Sequence, residues 1–102
     1  MQKKANIIFR DQQFFILGDL HFSNVMSLYE KSLIDFNHHE LVINFSELNS
    51  TDSSGLALII EWLKFAKQKN KRIQFSHFPE QLLLIAKAAG IEEMFKSVTA
   101  DL

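Results

Sequence analysis

The sequence predicts a single α/β domain with parallel strand pairing around a central strand. Strand-like runs alternate with helical segments along the chain, a pattern typical of α/β sheets. An almost wholly apolar run from Leu56 to Ala66 is long and dense enough to be a buried helix. The 102 residues suffice for one two-layer core. No repeat, linker or low-complexity segment divides them, so one domain is expected over residues 1–102.

Composition excludes several classes of protein. The 11 basic and 12 acidic side chains nearly cancel, which argues against a nucleic-acid surface. Cysteine is absent, so disulfides and thiolate metal sites are excluded. No apolar run reaches membrane-spanning length. The apolar stretch after Met1–Asn6 is broken by Arg10 and Asp11, too soon for a signal peptide. A cytoplasmic protein is therefore expected.

The first third of the chain predicts a hairpin and a helix. Ile7–Phe9 and Gln13–Leu17 read as two strands that are close enough for a hairpin. Gly18-Asp19 is expected to end the second strand, and Ser23 to cap the helix that follows. Apolar and small residues recur on one face of that helix, namely Val25, Leu28, Tyr29, Ser32 and Phe36.

The remaining elements alternate regularly. Leu41–Phe45 is predicted to be the buried central strand, and the helix after the next polar turn to run to Asn70. Arg72–Ser76 alternates as a further strand. Pro79 suits a helix start with Glu80 in the first turn. Leu82–Ala89 is predicted to form that helix, with Gly90 as its stop. Ile91–Phe95 is ambiguous.

The polar turn Ser50–Gly55 lies between the central strand and the apolar helix. The N–H groups and positive dipole end of that helix would converge on Ser53, which makes a phosphate or anion site one interpretation of the turn. From the residues alone the preferred interpretation is that Asp52 or Ser53 only caps the helix, because capping is far commoner than anion binding.

The apolar helix carries two stripes. One broad face, which is expected to pack in the core, consists of Leu56, Ile59, Ile60, Leu63 and Ala66. Leu58, Trp62 and Phe65 form a second stripe on the flank. A sheet covers one side of a helix, so the second stripe is interpreted as a partner surface, with a wider core as the alternative.

No catalytic, metal or cofactor site is expected. The four histidines lack a repeated ligand spacing. The three glycines are well separated, so no glycine-rich phosphate loop exists. Asp52-Ser53-Ser54-Gly55 does not fit a nucleophile elbow, which needs glycines on both sides of the serine. The chain is therefore interpreted as a non-enzyme.

The segment Asn49–Leu58, which reads NSTDSSGLAL, resembles the signature of STAS domains. Gly18-Asp19-Leu20, Lys69–Ile73 and Leu84–Ile91 also fall in the order of that family. The resemblance implies a mixed sheet of four or five strands with helices mainly on one face. It also implies that Ser53 is the switch residue, open to phosphorylation, and that Thr51, Asp52, Ser54 and Gly55 share its partner-binding surface.

Two branches of the family fit the sequence. One is the cytoplasmic (MlaB-like) STAS subunit of the Mla phospholipid-transport ABC transporter, whose expected partner is the MlaF-like ATPase subunit. Gly55–Ile60 and Leu63–Gln68 resemble that branch, although it usually has Thr where this chain has Ser53. Membrane association would then occur only through the transporter.

The other branch is the anti-sigma-factor antagonist, whose partner is an anti-sigma-factor kinase. Asp52-Ser53-Ser54-Gly55 matches it, but Gly18-Asp19-Leu20-His21 lacks its usual second acid. The first branch is preferred on these grounds. A small enzyme or nucleotide-binding protein is the third, least favoured class.

Overall fold

In the computed structural model, which describes residues 4–99, a five-stranded sheet forms one layer and helices pack on it as a second. The strands are β1 (Asn6–Arg10), β2 (Gln13–Leu20), β3 (Glu40–Asn44), β4 (Leu48–Thr51) and β5 (Arg72–Ser76). The helices are α1 (Val25–Asp35), α2 (Ser54–Gln68), α3 (Glu80–Ala88) and α4 (Glu93–Lys96). Residues 1–3 and 100–102 lie outside the described residues. Residues 1–3 begin the N-terminal segment in which no signal peptide is expected.

The sheet is mixed, as the family resemblance implied. Its order is β1-β2-β3-β5, and β4 pairs with β2. The hairpin β1–β2 is antiparallel, whereas β3 is parallel to both of its neighbours and β4 is parallel to β2. Leu41 and Ile43 of β3 are buried, while Val42 between them is only half-buried. The helices therefore cover mainly one face, and the predicted parallel pairing around the central strand is confirmed.

The β1–β2 hairpin is confirmed, but its second strand is longer than expected. Asp11 and Gln12 form the two-residue turn with φ of 52° and 64°, the positive values that tight hairpins need. At Gly18 φ is 82°, and the register shifts between Gly18 and Asp19. This irregularity lets β2 continue to Leu20 rather than end, so the expected strand end is wrong.

Two further expectations about this region are corrected. Leu48–Thr51 is a strand, because it pairs with the last residues of β2, so only the end of the predicted polar turn is a turn. Helix α1 begins at Val25 and is preceded by Asn24, not capped by Ser23. The Asn24 side chain accepts the His21 N–H (2.9 Å) and donates to the Asp19 carbonyl (2.7 Å), and these bonds fix the entry to the helix.

The second half follows the sequence closely. Helix α2 ends at Gln68, two residues before the expected limit, and Asn70 follows with φ of 54°. The predicted strand is β5, and α3 starts at Glu80 directly after Pro79, as predicted. Gly90 has φ of 72° and stops the helix as expected. The ambiguous segment ends in the short helix α4.

The stripe interpreted as a partner surface lies in the core instead. Trp62 is 0% exposed and Leu58 is 3% exposed. Helix α2 packs against α1 on one side and α3 on the other, so the flank assumed to be open is covered by α1. The Trp62 Nε1–H donates to the buried Ser32 Oγ of α1 (2.8 Å), and the half-buried Phe65 ring lies 6.2 Å from Phe36.

Candidate functional site

The carboxylate of Asp52 joins two segments at the start of α2. Its Oδ1 accepts the Ser54 backbone N–H (2.9 Å) and the Ser54 hydroxyl. Its Oδ2 accepts the Phe22 backbone N–H (3.0 Å) from the loop between β2 and α1. One side chain therefore caps α2 and also holds the preceding loop against it.

The hydroxyl of Ser53 is left out of this capping arrangement. Ser53 is exposed, with φ of −63° and ψ of −18°, and its side chain makes no capping hydrogen bond. Asp52 therefore caps the helix, so the preferred expectation of capping is confirmed for Asp52 and not for Ser53. Within residues 4–99 the Ser53 hydroxyl makes no other hydrogen bond, and it lies at the positive end of the α2 dipole.

The surroundings of Asp52 favour its charged form. The Ser54 hydroxyl lowers the pKa of this carboxyl below its usual value of 3.8, and the backbone N–H groups of Phe22 and Ser54 and the nearby His21 add to the effect. Partial removal from water acts in the opposite direction and is outweighed. A fixed negative charge therefore lies beside Ser53 at neutral pH.

A second carboxylate is buried below the turn. Asp19 is 4% exposed and accepts the Asn49 Nδ2–H (2.7 Å) and the Ser50 hydroxyl (2.7 Å), which ties β4 to β2. His21 lies between the two acids, with Nε2 3.1 Å from Ser50 Oγ and Nδ1 3.6 Å from Asp52 Oδ2. Sequence analysis did not predict this cluster, because its members are far apart along the chain.

Thr51 and Gly55 support the turn from inside. Thr51 is buried, and its hydroxyl donates to the Asp52 carbonyl (3.0 Å). A Cβ atom on Gly55 would lie 2.4 Å from Thr51 Oγ1 and 3.3 Å from Leu82 Cδ1. The first turn of α2 therefore needs glycine for its close approach to β4.

An apolar groove of about 680 Å³ opens beside the turn, between α1 and α2. Phe22 and Met26 are 83% and 63% exposed at its rim, and buried Leu58 contributes to its lining. The other lining residues are Ser23, Val25, Tyr29, Ser54, Ala57 and Glu61. Clustered exposed apolar side chains of this kind mark interaction sites.

The groove replaces the stripe as the candidate apolar surface. Sequence analysis missed Phe22 and Met26, although Met26 falls off the predicted inner face of α1, which was a usable signal. The predicted residues from Thr51 to Gly55 are brought together, and Leu58 reaches the groove from below. Trp62 and Phe65 instead pack among core rings.

Other kinds of site are not evident in the described part of the chain. Over residues 4–99, no three His, Asp or Glu side chains are grouped so as to hold a metal ion. None of the helices in that range combines the length and apolar character needed to cross a bilayer.

Comparisons with known proteins agree with this architecture. The structure of the anti-sigma factor antagonist SpoIIAA in its unphosphorylated form is similar, with a TM-score of 0.65 over 94% of this chain and 87% of that chain. The sequence identity is 16%, so the likeness concerns the fold. No curated protein matches the sequence. A family model described as "Mlab, STAS domain" matches residues 11–98. The chain belongs to the STAS domain family.

Proposed function

We propose that this protein is a non-catalytic interaction subunit that binds and supports the ATPase of an Mla-type phospholipid-transport ABC transporter, which maintains outer-membrane lipid asymmetry. Membership of the STAS family supports a protein-interaction role. The description of the matching family model supports the Mla branch. The protein then acts in the cytoplasm and reaches the inner membrane through the MlaF-like ATPase.

One observation carries this proposal. Ser53 is exposed and makes no capping hydrogen bond, and the next residue, Ser54, lines an open apolar groove. Ser54 lines the groove and is bonded to Asp52, so the turn and groove form one continuous surface. The apolar part of this surface can be buried against a partner, which removes it from water. The polar end supplies hydrogen-bonding groups that fix the orientation of the partner. This combination suits a folded protein partner.

The site offers no evident route to serine chemistry. A nucleophilic serine needs a base within hydrogen-bonding distance. The imidazole of His21 contacts Ser50 and Asp52 rather than Ser53. Asp52 is occupied by three donors, from Phe22 and Ser54. The arrangement supports binding without catalysis.

Ser53→Glu is expected to leave the fold intact and to weaken binding of the ATPase subunit at least tenfold. A negative charge near a helix N-terminus is usually favourable by about 0.3–1 kcal/mol, so stability should survive. The same charge, next to ionised Asp52, would place two negative charges side by side on the surface proposed for binding. Isothermal titration with the purified ATPase subunit measures the effect.

Two variants serve as controls for that titration. Ser53→Thr keeps the hydroxyl, so the free energy of binding should change little, and its affinity should be within about threefold of that of the parent protein. Ser97→Glu adds the same charge at an exposed serine that does not line the groove and should have no effect. Unchanged affinity in Ser53→Glu would remove Ser53 from the interface.

A second candidate function is an anti-sigma-factor antagonist regulated by phosphorylation of Ser53, with an anti-sigma-factor kinase as partner. The observation that favours it is the difference between the two serines: Ser54 is held by Asp52, whereas Ser53 is exposed and does not cap. A phosphate there would bring about two negative charges to the partner surface, enough to reverse binding.

Intact-mass analysis of the protein from its native cells separates the two functions. The antagonist function requires a phosphorylated fraction, with the phosphate localised to Ser53 by peptide sequencing. The transporter function does not require phosphorylation. A substantial fraction of phosphorylated Ser53 would reverse the preferred order.

A further inference from the structure

We infer that His21 is a protonation-dependent positioning residue, whose charged imidazole ring adds to the contacts by which Asp52 positions the Phe22 loop. The inference concerns the regulation of the surface described above, so its bearing on binding rests on the proposed function. The coupling between His21 and the loop is a property of the free domain.

The first step is the position of the proton on Ser50. Its hydroxyl has a single hydrogen, which is donated to the buried Asp19 carboxylate at 2.7 Å. The Ser50 oxygen can therefore only accept from His21, whose Nε2 lies 3.1 Å away. This arrangement places a hydrogen on Nε2.

The second step concerns the other ring nitrogen. His21 Nδ1 faces Asp52 Oδ2 at 3.6 Å. In the neutral ring, with its hydrogen on Nε2, Nδ1 presents a lone pair to a carboxylate, and the two repel each other. In the imidazolium both nitrogens are donors, so the ring bridges Ser50 and Asp52. The described titratable groups around the ring are Asp52 in the turn and, through Ser50, Asp19 on β2.

The third step links this bridge to the groove. The same Oδ2 atom of Asp52 that faces His21 also accepts the Phe22 N–H at 3.0 Å. Phe22 forms the most exposed part of the groove rim. Loss of the His21 proton therefore removes an attraction on Oδ2 and shifts the hydrogen bond that positions Phe22. The rim is therefore expected to respond when the His21 ring gains or loses its proton.

NMR titration of the free domain between pH 5.5 and 8 tests the inference. The neutral ring of His21 should be the Nε2–H tautomer by its ¹⁵N shifts. The Phe22 amide shift should change with the same midpoint as the His21 ring. His21→Gln should abolish the Phe22 step, while His39→Gln, at an exposed histidine, should preserve it.

The inference is overturned by an Nδ1–H tautomer, by a Phe22 amide that does not follow the His21 ring, or by a Phe22 step that survives in His21→Gln. The tautomer and the midpoints are read in the unaltered protein, so the test stands even if His21→Gln does not fold. A coupled titration in a domain that fails to bind the ATPase subunit would refute the proposed function and leave the inference intact.

Discussion

Trp62→Ala is expected to lower the free energy of unfolding by about 3–5 kcal/mol, the usual loss when a large aromatic side chain is removed from a core. Trp62 is 0% exposed, and its ring lies 5.7 Å from Phe36 and 6.5 Å from Phe45. The truncation leaves a cavity between α1, α2 and the sheet. Thermal melting followed by circular dichroism should show a midpoint lowered by roughly 20 °C.

Trp62→Phe is the matched control for this loss. It keeps an aromatic ring but removes the Nε1–H that Ser32 Oγ accepts at 2.8 Å. Ser32 still donates to the Tyr29 carbonyl (2.6 Å), so a smaller loss of about 1–3 kcal/mol is expected. A Trp62→Ala domain that melts like the parent protein would contradict the burial of the stripe.

Phe22→Asp combined with Met26→Glu is expected to leave the domain folded and to weaken binding of the ATPase subunit that we propose as its partner about a thousandfold. Each apolar side chain that is buried on binding contributes roughly 1.5–3 kcal/mol, and about 4 kcal/mol corresponds to a thousandfold change in affinity. Both residues are exposed in the free domain, so little folding energy depends on them. Met26 lies in the first turn of α1, where an acidic residue is favourable.

Leu84→Glu combined with Met94→Glu is the control for the groove variant. These residues are also exposed apolar side chains, at 57% and 46%, and the exchange adds the same two charges. They lie on α3 and α4 and do not line the groove. Pull-down and titration should show binding like that of the parent protein. Equal loss of binding in both double variants would indicate a general charge effect and exclude the groove.

Local patterns determined the identity of most elements in advance. The alternation in Arg72–Ser76, the apolar run of α2 and the stop at Gly90 depend on interactions within a few residues, and these predictions agree with the structure. The cluster from Thr51 to Gly55 was also visible, because those residues are contiguous.

Long-range pairing accounts for the elements that sequence analysis missed. Leu48–Thr51 contains polar residues and no alternation of its own. It becomes β4 because Asn49 and Ser50 bond to Asp19, about thirty residues earlier in the chain. β2 continues through Gly18 for the same reason, since its last residues gain a partner strand.

The two sides of α2 show most clearly what the sequence determined and what the tertiary structure determined. The sequence by itself determined that this helix has apolar residues around most of its circumference, and therefore that more than a sheet must cover it. It could not determine which neighbour does so. In the tertiary structure α1 packs over Leu58 and Trp62, with the Ser32 hydroxyl as the partner of the indole N–H. Because the loop before α1 places Phe22, and α1 itself places Met26, at the edge of α2, the same packing buries Leu58 and Trp62 and opens the groove beside Ser53.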